Sequence, residues 1–234
     1  MKTKIQIVLA LIIGLAMGFG FILPNWNILA QDEITVEITS TTNDPTNVQP
    51  NTVMITFSEE VSGLLSTEIV VGNGSISDFE GEDGDAVYEL EITPDEDGEV
   101  TVFVPAGVAE GADEITNDAS EQFSITYDTT APTVEITTDL PTDPTGKSPI
   151  PVTITFNEPV EGFGLSDIAI LNGEPVSFQL GPEVTTIDVE PNHFGIVSVT
   201  VSSILSDISD LAGNAYDGVE VFTIEYVNSP HVWI

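Results

Sequence analysis

The sequence predicts an all-β protein, two Greek-key β-sandwiches in tandem behind an N-terminal hydrophobic segment. Three observations point there. First, the chain says the same thing twice: "TVEIT", "DPT" and "VMITFSEEVSG" return as "TVEIT", "DPT" and "VTITFNEPVEG", offset by 98 residues at Thr35/Thr133 and by 99 at Val53/Val152. A repeat of that length is one whole domain. Second, beyond residue 31 apolar and polar residues alternate with a period of two, and no stretch carries a helical period. Third, seven such short runs fall in each half with turn signals between them, the pattern of a sandwich.

Residues 1–31 stand apart. Lys2 and Lys4 precede an uncharged apolar run from Ile5 to Leu23, which Pro24 ends. This reads as a secretory signal or an uncleaved N-terminal anchor helix, long enough to span a bilayer. A cut after Ala30 sets Ile28 where a small residue is preferred. In either form the lysines stay inside and the remainder is exported, which places the protein outside the cell or on its surface.

In the first repeat, residues 32–128, the strands are expected near 34–40, 52–57, 68–72, 76–80, 86–92, 99–104 and 122–127. In the second, 129–228, they are expected near 132–138, 151–156, 167–171, 176–180, 184–189, 196–201 and 221–227. Val53, Ile55 and Phe57 alternate with Met54 and Thr56, as Val152, Ile154 and Phe156 do with Thr153 and Thr155. Asn73-Gly74 and Asn172-Gly173 are turn dipeptides at equivalent positions. The link Asp128 to Pro132 is short, and proline stiffens it. In the tail, 229–234, Pro230, Val232 and Ile234 fall where Pro132, Val134 and Ile136 fall. The tail therefore reads as the start of a third repeat and the chain as part of a longer array.

The exported part carries all 39 acidic residues against one cation, Lys147, a formal charge of −38. Such a surface repels nucleic acid and anionic lipid and attracts cations. It also serves solubility in salty surroundings. There is no cysteine, so each sandwich is held by its core alone, for which about 100 residues suffice.

The segment "TITFNEPVEGFGLSDIAILNG", the turn "EPNHFG" before a Val-x-Val-x-Val run, "DLAGNA" and the linker "DTTAPTVEI" resemble the bacterial Ig-like domain repeats of extracellular adhesin-type proteins. The second repeat carries the resemblance over nearly its whole length. The first keeps "ITFSEEVSG" and "VFVPAGVAEG" but has "DEITNDA" where the second has "DLAGNA". The resemblance implies immunoglobulin-like sandwiches serving as spacer or adhesion modules outside the cell. It names no ligand.

Loops of a seven-strand sandwich alternate between its two poles. That places Asp95 and Asp97 at the far pole of the first sandwich, where Asp128 leaves. Glu158 and Asp210 fall at the near pole of the second. Asp95, Asp97, Asp128, Glu158 and Asp210 are thus candidate ligands for calcium at the joint, since a hard cation takes six to eight oxygens from flexible loops. The same residues also read as solvated carboxylates of an acidic protein. Asp210-Leu211-Ala212-Gly213-Asn214 further reads as a structural turn, with Asp and Asn bonding their own backbone.

Nothing points to an enzyme. The two histidines, His193 and His231, have no counterpart in the other repeat, and a nucleophile–His–acid site needs one of them. No catalytic or cofactor-binding residue is assigned. Lys147 lies in a proline-flanked loop and the first repeat holds no lysine, which excludes a Lys–Asn cross-link there. A module that binds carbohydrate or protein predicts exposed aromatics, for which Phe163, Phe194 and Trp233 are the candidates. Accessory domains of a larger secreted enzyme form a third reading. The expected partner is a surface or matrix ligand.

Overall fold

The computed structural model describes residues 33–112, 114–204 and 207–227. The N-terminal hydrophobic segment and the tail at 229–234 lie outside the described residues. The chain from Glu33 onward forms a compact unit. Helical structure among the described residues is limited to two one-turn 3-10 segments, Ser66–Glu68 and Leu165–Asp167. No helix there is long and apolar enough to cross a membrane.

The first repeat contains β1 (Val36–Ser40), β2 (Asn51–Ser62), β3 (Val70–Gly72), β4 (Gly74–Glu80), β5 (Asp85–Pro94), β6 (Gly98–Phe103), β7 (Glu110–Gly111) and β8 (Phe123–Tyr127). Its two sheets run β1-β2-β5-β4, with β7 added beside β2, and β3-β6-β8. The second contains β9 (Val134–Thr137), β10 (Ile150–Phe156), β11 (Val160–Glu161), β12 (Ile168–Leu171), β13 (Gly173–Gln179), β14 (Val184–Pro191), β15 (Gly195–Ser202), β16 (Ser209–Asp210) and β17 (Val219–Tyr226). Its sheets run β13-β14-β10-β9 and β12-β15-β17, with a short β11-β16 ribbon. Four strands facing three, with neighbours distant in sequence, is the immunoglobulin arrangement of Greek-key connections.

Each repeat closes its own core. Val53, Ile55, Leu90, Ile92, Val100 and Val102 are fully buried in the first. Val152, Ile154, Ile187, Val189, Val197 and Val199 do the same in the second, and the two clusters share no residue. These are the alternate positions of β2, β5 and β6 and of β10, β14 and β15. All but Leu90 are β-branched, which suits a pleated, half-buried surface.

The repeated "DPT" fastens the loop after the first strand of each sandwich to its last strand. Asp44 Oδ1 accepts the Thr126 N–H at 2.9 Å, and Asp143 Oδ1 accepts the Glu225 N–H at 2.9 Å. Thr46 and Thr145 continue the contact as parallel bridges to Tyr127 and Tyr226. The turn asparagines also reach across the sandwich. Asn73 (φ 53°) and Asn172 (φ 59°) adopt the left-handed conformation that asparagine tolerates. Each amide then donates into the turn after β5 or β14, to Glu96 O at 2.9 Å and to His193 O at 3.0 Å.

The structure adds short elements that the pattern did not foretell: the two 3-10 turns, β7, and the β11-β16 ribbon. Two-residue strands carry no period to read. The ribbon matters most, because pairing Val160 with Asp210 and Glu161 with Ser209 brings two acidic loops of the second sandwich together.

Candidate metal centre at the joint

Asp210 ends β16 and is 2% exposed. A charge so buried must be bonded. Its Oδ1 accepts the backbone N–H of Asn214 at 2.8 Å and its Oδ2 accepts the Asn214 side-chain amide at 2.8 Å. The peptide N–H of Asp210 returns a bond to Asn214 O at 3.1 Å. Gly213, at φ 94°, lets the loop turn between them. "DLAGN" is thus a self-bonded turn.

That turn also grips what precedes it. The second amide hydrogen of Asn214 goes to the carbonyl of Asp128 at 2.8 Å. Its Oδ1 accepts the amide of Asn47, from the first sandwich, at 3.0 Å. The Asn47 N–H donates to Ala212 O at 3.2 Å. Asn214 therefore links three segments: its own loop, the connector, and the "DPTN" loop of the other repeat.

Three carboxylates converge beside it. Asp128, Glu158 and Asp210 each offer an oxygen within 4.8 Å of the other two. Glu158 receives the Asn157 amide at 3.1 Å, and Asp128 Oδ1 receives the Thr130 N–H at 2.9 Å. Like charges at this spacing repel by about 1 kcal/mol per pair in water and by more where water is displaced. Burial pushes the Glu158 carboxyl above its ordinary value of 4.5. The Asn157 bond opposes that shift, while Asp210 and then Asp128 add to it.

Of the five acids singled out in the sequence, the structure gathers these three and sends the other two elsewhere. Asp97 is occupied by the connector. Its Oδ1 accepts the Thr129 N–H at 3.0 Å and the Thr129 hydroxyl at 2.8 Å, and its Oδ2 accepts the Thr130 hydroxyl at 2.7 Å. The hydroxyl of Thr130, then that of Thr129, holds its carboxyl below the usual range. Asp95 lies outside the group of three, its peptide N–H bonded to Asn73 O at 3.2 Å. Neither is placed as a ligand beside the other three. Sequence reasoning missed Asn47, Thr129 and Thr130. The only signal for Asn47 was its replacement by Gly146 in the second copy.

The raised Glu158 carboxyl has a signed consequence. A carboxyl whose affinity for protons is higher folded than unfolded costs stability as pH rises through that range. Glu158→Gln is therefore expected to raise the melting temperature at pH 7 in a calcium-free buffer and to leave it unchanged near pH 4. Thermal unfolding of both chains across that range checks it. Equal pH dependence for the two would mean that the Glu158 carboxyl is not raised by its burial and its acidic neighbours.

The other candidates are ordinary. Phe163 is buried and packs edge-on against Phe156, ring centroids 5.0 Å apart, so it belongs to the core. Phe194 is exposed and stacks on Tyr226 at 5.5 Å. Lys147 and His193 are exposed on loops. Trp233 and His231 lie outside the described residues.

A family model described as "Bacterial Ig-like domain" matches residues 30–127 and again 128–226. No curated protein matches the chain. Among solved structures, that of Yersinia pseudotuberculosis InvD aligns with 11% identity and a TM-score of 0.40, covering 83% of this chain and 57% of its own. The crystal structure of invasin, titled a bacterial integrin-binding protein, aligns with 17% identity and a TM-score of 0.33, covering 84% of this chain and 40% of its own. The chain thus spans less than two thirds of the length of either.

Proposed function

Because this chain belongs to the bacterial Ig-like domain family and carries two copies of that domain, we propose that it is a non-catalytic, exported spacer and adhesion module whose joint is locked by calcium. The observation that carries the proposal is the group Asp128, Glu158 and Asp210, drawn from the connector and two loops of the second sandwich. The donors are all oxygens and mostly charged, which suits a hard cation. Histidine and cysteine are absent from the group, which disfavours zinc and copper. Three carboxylates fill part of the six to eight positions calcium takes, and water supplies the rest.

The physical role follows from the charges. Without a cation the three carboxylates push the connector away from the β11-β16 ribbon, against the hydrogen bonds of Asn214. A divalent cation turns the same charges into an attraction between connector and ribbon. At ten times its dissociation constant, bound calcium adds about 1.4 kcal/mol to the folded joint. The array would then hold a distal ligand-binding region away from the cell, its partner being a surface or matrix ligand.

Calorimetric titration of calcium into the metal-free chain from Glu33 onward tests this. One site with a dissociation constant on the order of 10⁻⁴ to 10⁻³ M, absent in Glu158→Gln, is expected. Only weak, non-stoichiometric heats, the same in both chains, would refute it.

A further inference from the structure

The two sheets of each sandwich differ in the charge they show to solvent. On the outer face of β1-β2-β5-β4 stand Glu37, Asp78, Glu80, Glu89 and Glu91, and on that of β9-β10-β14-β13 stand Glu135, Glu174, Asp188 and Glu190. Several oppose each other directly across the ladder: Asp78 faces Glu91, Glu80 faces Glu89 and Glu174 faces Glu190. Such like-charged pairs cost stability. The outward positions of the opposite sheets hold a single acid each, Glu99 and Glu225, while half-buried Glu220 of β17 alternates to the inner side opposite Val201.

What replaces charge there is threonine, serine and exposed aliphatic side chains. On the β12-β15-β17 face, the row Ala169, Thr200, Val221 lies beside the row Leu171, Ser198, Thr223. Leu171 is 67% exposed, Val219 57%, Ile196 53% and Val221 51%. On the β3-β6-β8 face the corresponding positions include Val70, Thr101, Phe103 and Ser124, with Val70 54% exposed. The cores do not use these side chains, since the inward positions of the same strands already fill them.

We propose that this neutral face is a self-association surface, on which a second copy of the chain docks sheet against sheet. The charge pattern selects the occupant. Any approach between two copies through the acidic sheets sets carboxylates on carboxylates. A cationic partner would be drawn to those acidic sheets. Of the sheet faces described, the neutral ones alone let two chains of this charge come within contact without setting acid on acid, and a two-fold axis then sets each face on an identical one. Two β-faces pack about 10 Å apart with their side chains interleaved.

The size of the face sets the strength. The strands of β12-β15-β17 are four, eight and eight residues long; at about 3.4 Å per residue and about 4.8 Å between strands they cover roughly 330 Å², so one such face on another buries about 650 Å² in total. That is the range of weak contacts, and even with the smaller β3-β6-β8 face added on each chain the total of about 1,100 Å² stays below a standard interface of about 1,600 Å². The expected association is weak and reversible. It strengthens with salt, because long-range repulsion fades as the Debye length falls from about 30 Å at 0.01 M to about 3 Å at 1 M.

Sedimentation velocity on the chain from Glu33 onward, in a chelator so that calcium plays no part, tests this independently of the joint. Expected is a monomer–dimer equilibrium whose association constant rises about ten-fold or more between 0.01 and 1 M salt. Leu171→Glu with Val221→Glu should abolish it, and the uncharged pair Leu171→Ser with Val221→Thr should weaken it. Thr153→Glu, on the acidic face, should leave it intact. A chain that stays monomeric at every salt, an association that weakens with salt, or one that the Leu171 and Val221 variants retain would each overturn the proposal.

Discussion

Replacing Asp210 by alanine is expected to lower the stability of the second sandwich by about 2–4 kcal/mol in calcium-free buffer. The buried carboxylate holds the Asn214 N–H and side-chain amide, both at 2.8 Å. Hydrogen bonds to a charged group contribute about 1.5–3 kcal/mol each, and a buried N–H left without an acceptor adds its own cost. Against this stands the relief of removing one of three crowded charges, about 1 kcal/mol for each pair. The bonds win, because Asp210 is almost wholly enclosed while Asp128 and Glu158 are only half-buried. For a sandwich of about 100 residues the loss corresponds to a fall in melting temperature on the order of 10 °C or more. Urea unfolding and thermal melting measure it. The pair Glu158→Gln and Asp210→Ala then separates the two roles of these acids. The first should stabilise the calcium-free chain and the second destabilise it, although both remove a ligand. A change under about 0.5 kcal/mol for Asp210→Ala would mean that its turn bonds do not hold the loop.

Replacing Asn51 by valine is expected to stabilise the first sandwich by about 1–3 kcal/mol. Asn51 opens β2, is fully buried, and neither its side-chain Nδ2 nor its Oδ1 has a hydrogen-bond partner. The equivalent residue of the second sandwich is Ile150, also fully buried. An aliphatic side chain therefore suits this position in the fold, and valine adds less bulk than isoleucine, limiting overpacking. The reverse change, Ile150→Asn, should destabilise the second sandwich by a comparable or larger amount, since it also removes apolar burial. Differential scanning calorimetry reads both. A destabilised Asn51→Val chain would show that Asn51 has a polar partner in solution, such as an enclosed water.

The strands were the most legible part of this molecule. Where one face of a strand is core and the other is water, the alternation writes itself into the sequence. Val53-Ile55 against Thr52-Met54 and Val197-Val199 against Ser198-Thr200 needed no further information. The approach of Asp128, Glu158 and Asp210 was partly legible, because loop polarity in a seven-strand sandwich assigns each loop to a pole. What polarity does not give is lateral position. Asp97 shares a pole with Asp128, yet the hydroxyls of Thr129 and Thr130 claim its carboxylate, and nothing in the spacing announces that. The β11-β16 ribbon was equally hidden, since two residues have no period. "DPT" was visible as repeated letters and Asn47 only as a departure from the repeat, but their partners lie 82 residues away at Thr126 and Glu225 and 167 residues away at Asn214. Contacts of that range leave no local trace.

Small-angle scattering from the chain beginning at Glu33, recorded in chelator and again at millimolar calcium, tests the locked joint most directly. With calcium, the wild-type chain should show a longer and narrower distribution of interatomic distances, and Asp210→Asn and Glu158→Gln should not respond. Superimposable curves with and without the ion, or variants that stiffen as the wild type does, would contradict a joint closed by a cation on Asp128, Glu158 and Asp210.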